Sequence, residues 1–361
     1  MKLSVPQFIL ATTLLATTSL LGAESAPRPA KPEGLEVLIS GNTEDVTPEK
    51  LEGPMAILMG GGSEVDTVFQ QHAFPTLNGG DLVVLRQGRI GGYNSYFYEE
   101  VVGSSTRPDS VETIQLDTVE QANSDYVVWA LENAEMVWFA GGDQSAYLQA
   151  WRGTRAQEAI QKVWDKGGVV GGTSAGLAIL GEYIYDPGAE EATISEDTFA
   201  DPYNKGVTIS DRFINIPWLE DVITDSHFRN RDRMGRSLGF MAVLREENRT
   251  PLIRAICVSE ESSITIYPNG MGTVNAAGEV YILQENADTQ RTQVNPGEPL
   301  IYGPVDRIHL VEGDQFNFNT WSALKSKLPL SVNGTNPETP ILPANYYEGS
   351  DPETTSETAG N

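Results

Sequence analysis

Short apolar runs recur along the first half of the chain, each closing on glycine or a polar turn. Pro54 to Met59 runs into Gly60-Gly61-Gly62, and Asp81 to Arg86 is followed by Gly91-Gly92-Tyr93-Asn94. Val111 to Leu116 is a third run, and Glu135 to Ala140 a fourth, ending at Gly141-Gly142-Asp143-Gln144. Between them, Asp66 to Ala73, Asp125 to Glu132 and Ser145 through Gln161 carry apolar residues at helical spacing. Strands alternating with amphipathic helices predict an α/β fold, a mostly parallel sheet flanked by helices. Ligands of such sheets bind beyond the carboxyl ends of the strands. The turns at Gly60, Gly91, Gly141 and Ser174 all belong to that edge.

The most informative turn is Val169-Val170-Gly171-Gly172-Thr173-Ser174-Ala175-Gly176, where an apolar run ends in glycines and a helical pattern resumes at once. Gly-x-Ser-x-Gly at a strand-to-helix bend is the arrangement that presents a nucleophilic serine. The free N–H groups of the following helix lie close enough to stabilise an oxyanion.

Beyond Ser174 an irregular acidic stretch, Glu182 to Asp201, precedes Val207 to Ile209 and the run Asp221 to Phe228. Arg229, Arg231, Arg233 and Arg236 follow, leading into a helix through Leu244. From Leu252 the pattern changes to short strands with turns, Ser263 to Tyr267, Gly272 to Leu283 and Pro299 to Val311. These predict C-terminal β-hairpins completing the sheet or packed beside it. Lys2 and the apolar stretch Phe8 to Leu21 read as an export signal over residues 1–25. A linker over 26–53, one domain over 54–328 and a disordered acidic tail over 329–361 complete the expected organisation. The periplasm or the exterior is the expected location.

Charge narrows the partners. Twenty-four basic against fifty acidic residues give a net charge of −26, which disfavours nucleic acid and anionic membranes. The single cysteine, Cys257, lies in an apolar run and has no intrachain partner. Neither a dinucleotide fingerprint nor a P-loop is present, and no His/Cys/carboxylate cluster has ligand spacing, so no cofactor or metal is expected. Whether the chain forms a homodimer is left open.

A serine nucleophile needs a base and a carboxylate that orients it. Of the three histidines, His72 falls in an early helix and His309 in a late strand. His227, just beyond a strand end, is the candidate base. The acid stays open among Glu182, Asp186, Glu190, Glu191, Glu196, Asp197 and Asp201, because periodicity does not choose between them. The arginine cluster after His227 suits bidentate capture of a substrate carboxylate. The alternative is surface pairing with Asp232, Glu246 and Glu247.

Together, Gly60-Gly61-Gly62, Gly141-Gly142-Asp143-Gln144, Gly172-Thr173-Ser174-Ala175-Gly176 and Asp225-Ser226-His227-Phe228 with Arg231, Arg233, Gly235 and Arg236 resemble peptidase family S51. That family comprises serine exopeptidases such as cyanophycinase and aspartyl dipeptidase. The resemblance implies a class I glutamine amidotransferase-like (flavodoxin-like) fold and hydrolysis of aspartyl or β-aspartyl peptide bonds by a Ser-His-Glu triad. It carries Ser174 over as nucleophile, His227 as base, and Glu191 or its neighbour Glu190 as the acid. Gly142 and Ala175 would form the oxyanion hole, and Gln144, Asp225, Arg231, Arg233 and Arg236 would bind substrate or support its pocket. The chain departs at Ser226, where cyanophycinase has glutamine, so a pocket position for the β-linked Asp-Arg unit is altered. An α/β-hydrolase-type esterase, with the order Ser, acid, His, and a non-catalytic binding protein on the same fold are the competing readings.

Overall fold

The computed structural model describes residues 27–101 and 107–348; the expected export signal lies outside them. In chain order the strands are β1 (Glu36–Gly41), β2 (Met55–Met59), β3 (Leu82–Arg86), β4 (Ser110–Gln115), β5 (Met136–Phe139), β6 (Val169–Thr173), β7 (Tyr183–Tyr185), β8 (Ile209–Asp211) and β9 (Val222–Asp225). After them come β10 (Arg254–Val258), β11 (Ser262–Ile266), β12 (Met271–Ala276), β13 (Val280–Gln293), β14 (Ile301–Leu310), β15 (Gln315–Asn317), β16 (Lys327–Asn333) and β17 (Ile341–Leu342).

They form two sheets. The first runs β1-β4-β3-β5-β6-β2-β11-β12-β15, and its block β4-β3-β5-β6-β2 is parallel. β2, β3, β5 and β6 are buried along their whole length, as parallel strands covered on both faces must be. Helices Asp125–Asn133, Gln144–Trp151 and Arg155–Asp165 supply buried residues to one face. Phe69, Phe97 and Trp138 pack edge to face on the other. The helical spacing through 145–161 is two helices, because the first ends at Trp151, Gly153 turns at φ +72° and Thr154 caps the second.

The second sheet runs β17-β16-β14-β13-β10-β9-β7-β8. It is antiparallel except where β9 lies between β7 and β10. The late strands thus do both things expected of them: β11, β12 and β15 extend the first sheet, while β13, β14, β16 and β17 build the second. "Mostly parallel" holds only for the five-strand block. Ile256, Val258, Ile282 and Ile308 share one apolar core with Leu58, Val170 and Ile264 of the first sheet. Helix Met234–Glu246, buried nearly all round, covers the opposite face.

Two boundaries differ from expectation. The 26–53 linker contributes β1, which pairs antiparallel with β4, and Arg28 reaches Glu112 at 2.8 Å. The expected disordered tail supplies β16 and β17, with Leu330, Val332 and Ile341 buried. β16 carries Pro329 within its seven residues and β17 is only two residues long, so they gain strand character only from the sheet edge they join. Residues 349–361 lie outside the described part. The acidic stretch 182–201 likewise contains β7 and the helix Ser195–Ala200.

Candidate active site

β6 ends at Thr173, and Ser174 takes φ +55° and ψ −114° before the helix Ala175–Ala178. A non-glycine residue held there is strained, and such strain persists only where the surroundings over-determine it. They do so here. A Cβ on Gly176 would lie 2.1 Å from the Phe139 carbonyl, so only glycine lets the helix close so tightly on β5.

His227 lies two residues past β9, also at positive φ (+47°). Its Nε2 is 2.7 Å from Ser174 Oγ, and its Nδ1 is 2.6 Å from Glu260 Oε1. The carboxylate accepts from Nδ1–H, which leaves Nε2 to accept from the serine hydroxyl. A hydroxyl, an imidazole and a carboxylate in this relay can move a proton off the serine and back to a leaving group. Burial pushes the imidazole below its ordinary pKa; the Glu260 bond opposes this, and Arg231 and Arg233 add to it. Gly61 packs directly on the ring. The Glu260 amide donates to Asn230 Oδ1 at 2.9 Å, tying the carboxylate's loop to the turn after His227.

A cleft of about 290 Å³ opens beside the serine, lined among others by Gly142, Gln144, Ala175, Asp225, Arg231 and Arg233. Among the described residues no group of three or more His, Cys, Asp or Glu is placed to hold a metal ion.

The family model for peptidase family S51 matches residues 93–204, the segment that contains Ser174. A cyanophycinase from Nostoc sp. is 29% identical over 234 residues, covering 63% of this chain and 70% of that protein. These matches support membership of peptidase family S51. A cyanophycinase from Synechococcus elongatus is 27% identical over 205 residues, 55% of this chain and 58% of that one. Among solved structures, a peptidase from an acI-B1 Actinobacterium superposes with a TM-score of 0.48 at 14% identity, covering 73% of this chain and 97% of that one. The family model and the cyanophycinase relatives together indicate a serine-type peptidase.

Within this site the sequence-derived residues divide. Gln144 lines the cleft and donates to the Tyr185 carbonyl at 3.1 Å. Asp225 is buried and saturated: Arg236 donates Nε to Oδ2 at 2.8 Å and Nη2 to Oδ1 at 2.5 Å, and Ser237 Oγ donates to Oδ2 at 2.9 Å. Burial alone would raise this carboxyl's pKa, but Arg236 and Arg233 hold it below the usual range. Arg236 also lies over the Tyr185 ring at 4.9 Å, so this pair, which lines the cleft, also braces its wall. Arg233 donates to the Ser226 carbonyl at 2.7 Å, and burial pushes its guanidinium down to about 10. Arg231 is exposed on the cleft, and its side chain has no hydrogen-bond or ion-pair partner among the described residues. Arg229 turns away to Glu279 and Glu348. The alternative pairing does not occur: Glu246 meets Arg291, and Glu247 meets Arg249.

The acid is the correction. Glu191 is exposed and is not the histidine's partner; Glu190 lines the cleft but pairs with Lys205 at 2.9 Å. The carboxylate on His227 is Glu260, absent from the candidates because they were confined to the segment between serine and histidine. The signal was in the pattern of strands. β10 is the parallel neighbour of β9, with Cys257 level with Asp225, so residues just past Val258 emerge beside those just past Asp225. His72 bonds to Tyr267, and His309 stacks on Tyr281.

Proposed function

We propose that this serine-type peptidase is exported and hydrolyses aspartyl or β-aspartyl peptide bonds, with Ser174 as nucleophile, His227 as general base and Glu260 as the orienting acid. The observation that carries the reading is the Ser174–His227–Glu260 relay at the mouth of a cleft where the Arg231 side chain has no partner among the described residues. Ser174 Oγ attacks the scissile carbonyl carbon as its proton passes to His227 Nε2. The oxyanion faces the amides of Gly142 and Ala175. His227 then protonates the departing amine, and water, deprotonated by the same imidazole, releases the acyl group and regenerates the serine. Glu260 keeps Nδ1 protonated throughout and stabilises the imidazolium.

Arg231 and the free donors of Arg233 suit a substrate carboxylate, and Glu190 on the same cleft, whose exposed pairing with Lys205 a ligand can displace, suits a cationic arm. Both signs together fit a β-linked Asp-Arg unit. Similarity to proteins named cyanophycinase supports the same substrate class. The Ser-His-Glu order along the chain speaks against an α/β-hydrolase esterase, where the acid precedes the histidine.

The test is a panel of β-Asp-Arg polymer, Asp-containing and neutral peptides, and short-chain esters, with Ser174→Ala as control. Release of amine from the acidic peptides by wild type, and its loss in the variant, is expected. Turnover of esters alone, or of neutral and acidic peptides equally, overturns the assignment.

A further inference from the structure

The arginine-bearing turn after His227 does not stand alone. Residues Tyr346 to Glu348, more than a hundred positions later in the sequence, close over its outer side. The Tyr347 hydroxyl accepts the Met234 amide at 3.0 Å, and its ring meets Phe228 edge to face at 5.9 Å. Tyr346 Oη donates to Asp232 Oδ1 at 3.3 Å, and Glu348 takes Arg229 Nη2 at 3.0 Å. Both ends of the turn, Phe228–Arg229 and Asp232–Met234, are therefore gripped by three consecutive side chains.

The grip is itself anchored in the second sheet. Arg307, fully buried, donates Nη1 to the carbonyls of Tyr346 at 3.0 Å and Glu348 at 2.6 Å. Tyr281 Oη donates to the Tyr347 carbonyl at 2.9 Å. A buried guanidinium given over to two main-chain carbonyls fixes a backbone path. An exposed tail packed without purpose would need no such partner.

We propose that Tyr346–Tyr347–Glu348 is a positioning segment for the substrate-reading turn. It fixes Arg229 to Met234 against the second sheet, so that Arg231 and Arg233 are presented to the cleft in one arrangement. Tyr347 is its keystone. The inference rests on the proposed reading of those arginines, because a turn that bound nothing would need no such fixing. Its action is on recognition rather than on bond breaking. The imidazole has anchors outside the turn, the His227 amide on Gly60 and the ring on Gly61, and only the Glu260 amide is joined to the turn, through Asn230.

The experiment compares wild type, Tyr347→Phe and Tyr347→Ala in the full chain, by steady-state kinetics and by amide hydrogen exchange of residues 229–234. Tyr347→Phe keeps the ring and guards against a general loss of fold. In Tyr347→Ala, exchange of the turn is expected to rise at least about 10-fold, since one buried hydrogen bond and the ring packing are lost. KM for acidic peptides is expected to rise about 10-fold, with kcat on neutral peptides and fluorophosphonate labelling of Ser174 within about 2-fold of wild type. Tyr347→Phe should fall between the two. Unchanged exchange in Tyr347→Ala, or equal KM changes on acidic and neutral peptides, overturns the proposal. Should wild type prove indifferent to substrate charge, the proposed specificity fails, and the exchange of 229–234 alone still decides whether the segment holds the turn.

Discussion

Ser174 and His227 are tied to each other twice. Their side chains meet at 2.7 Å, and their amides donate to consecutive carbonyls, Ser174 N to Met59 at 3.0 Å and His227 N to Gly60 at 2.8 Å. The end of β2 thus sets the spacing of two residues that arrive from different sheets, both at positive φ.

Gly61 makes that geometry sensitive to a single methyl. A Cβ there would lie 2.3 Å from His227 Cε1, at φ +100°. Gly61→Ala should destabilise by about 1–2 kcal/mol through backbone strain. It should slow fluorophosphonate labelling of Ser174 at least about 10-fold by displacing the ring. An unchanged labelling rate would show that the imidazole is not pinned by this loop.

Glu260→Gln should lower kcat/KM by roughly two to four orders of magnitude, because the imidazole loses both its tautomer lock and its counter-charge. Glu191→Gln should stay within about 2-fold of wild type, as an exposed carboxylate without a partner in the site does. Kinetics on one acidic peptide decide between the two glutamates.

The pH profile follows from the environment of His227. Only the neutral ring accepts the serine proton, so kcat/KM rises with pH through the free enzyme's histidine pKa. Burial first, and Arg231 and Arg233 after it, place that limb below the ordinary 6.5. Arg231→Ala removes a downward influence, so its limb moves to higher pH. Glu260→Gln removes an upward one, so whatever activity remains moves to lower pH. Shifts in the opposite sense would exclude His227 as the titrating base.

Among the arginines, Arg231→Ala should reduce kcat/KM on acidic peptides about 10- to 100-fold and spare neutral ones, consistent with one charge-assisted hydrogen bond. Arg236→Ala should act differently. It takes the two-pronged partner from the buried Asp225 carboxylate, leaving it Arg233 at 3.3 Å and Ser237, and should cost about 1–3 kcal/mol of stability, read as a lower urea midpoint. Loss of activity in Arg236→Ala at unchanged stability would make it a ligand contact after all.

The serine and the histidine were legible because each sits where a local pattern ends: glycines crowd the bend at Ser174, and an apolar run stops just before His227. Glu260 was not, for a topological reason. Its place is fixed by which strand lies next to β9, and pairing between distant segments leaves no trace in periodicity. The parallel block was readable from its unbroken apolar runs. The outer strands of the second sheet were not, since β16 carries Pro329, β17 is only two residues long, and both are ordered by neighbours rather than by propensity. Arg231 and Arg236 looked alike in the sequence. Burial separates them, and burial is decided by Asp225 and by the helix that carries Arg236.

The division of the site between two sheets carries its own consequence. Ser174 ends a strand of the first sheet and His227 follows a strand of the second, while Glu260 sits on the short link where the chain passes from β10 to β11, from one sheet to the other. The proton relay is therefore a gauge of how the two sheets are docked. Mild heat or denaturant that lets them slide by an ångström leaves each sheet's hydrogen bonds intact and still parts the serine from its base. Catalysis should fade ahead of the melting of secondary structure, and return on cooling.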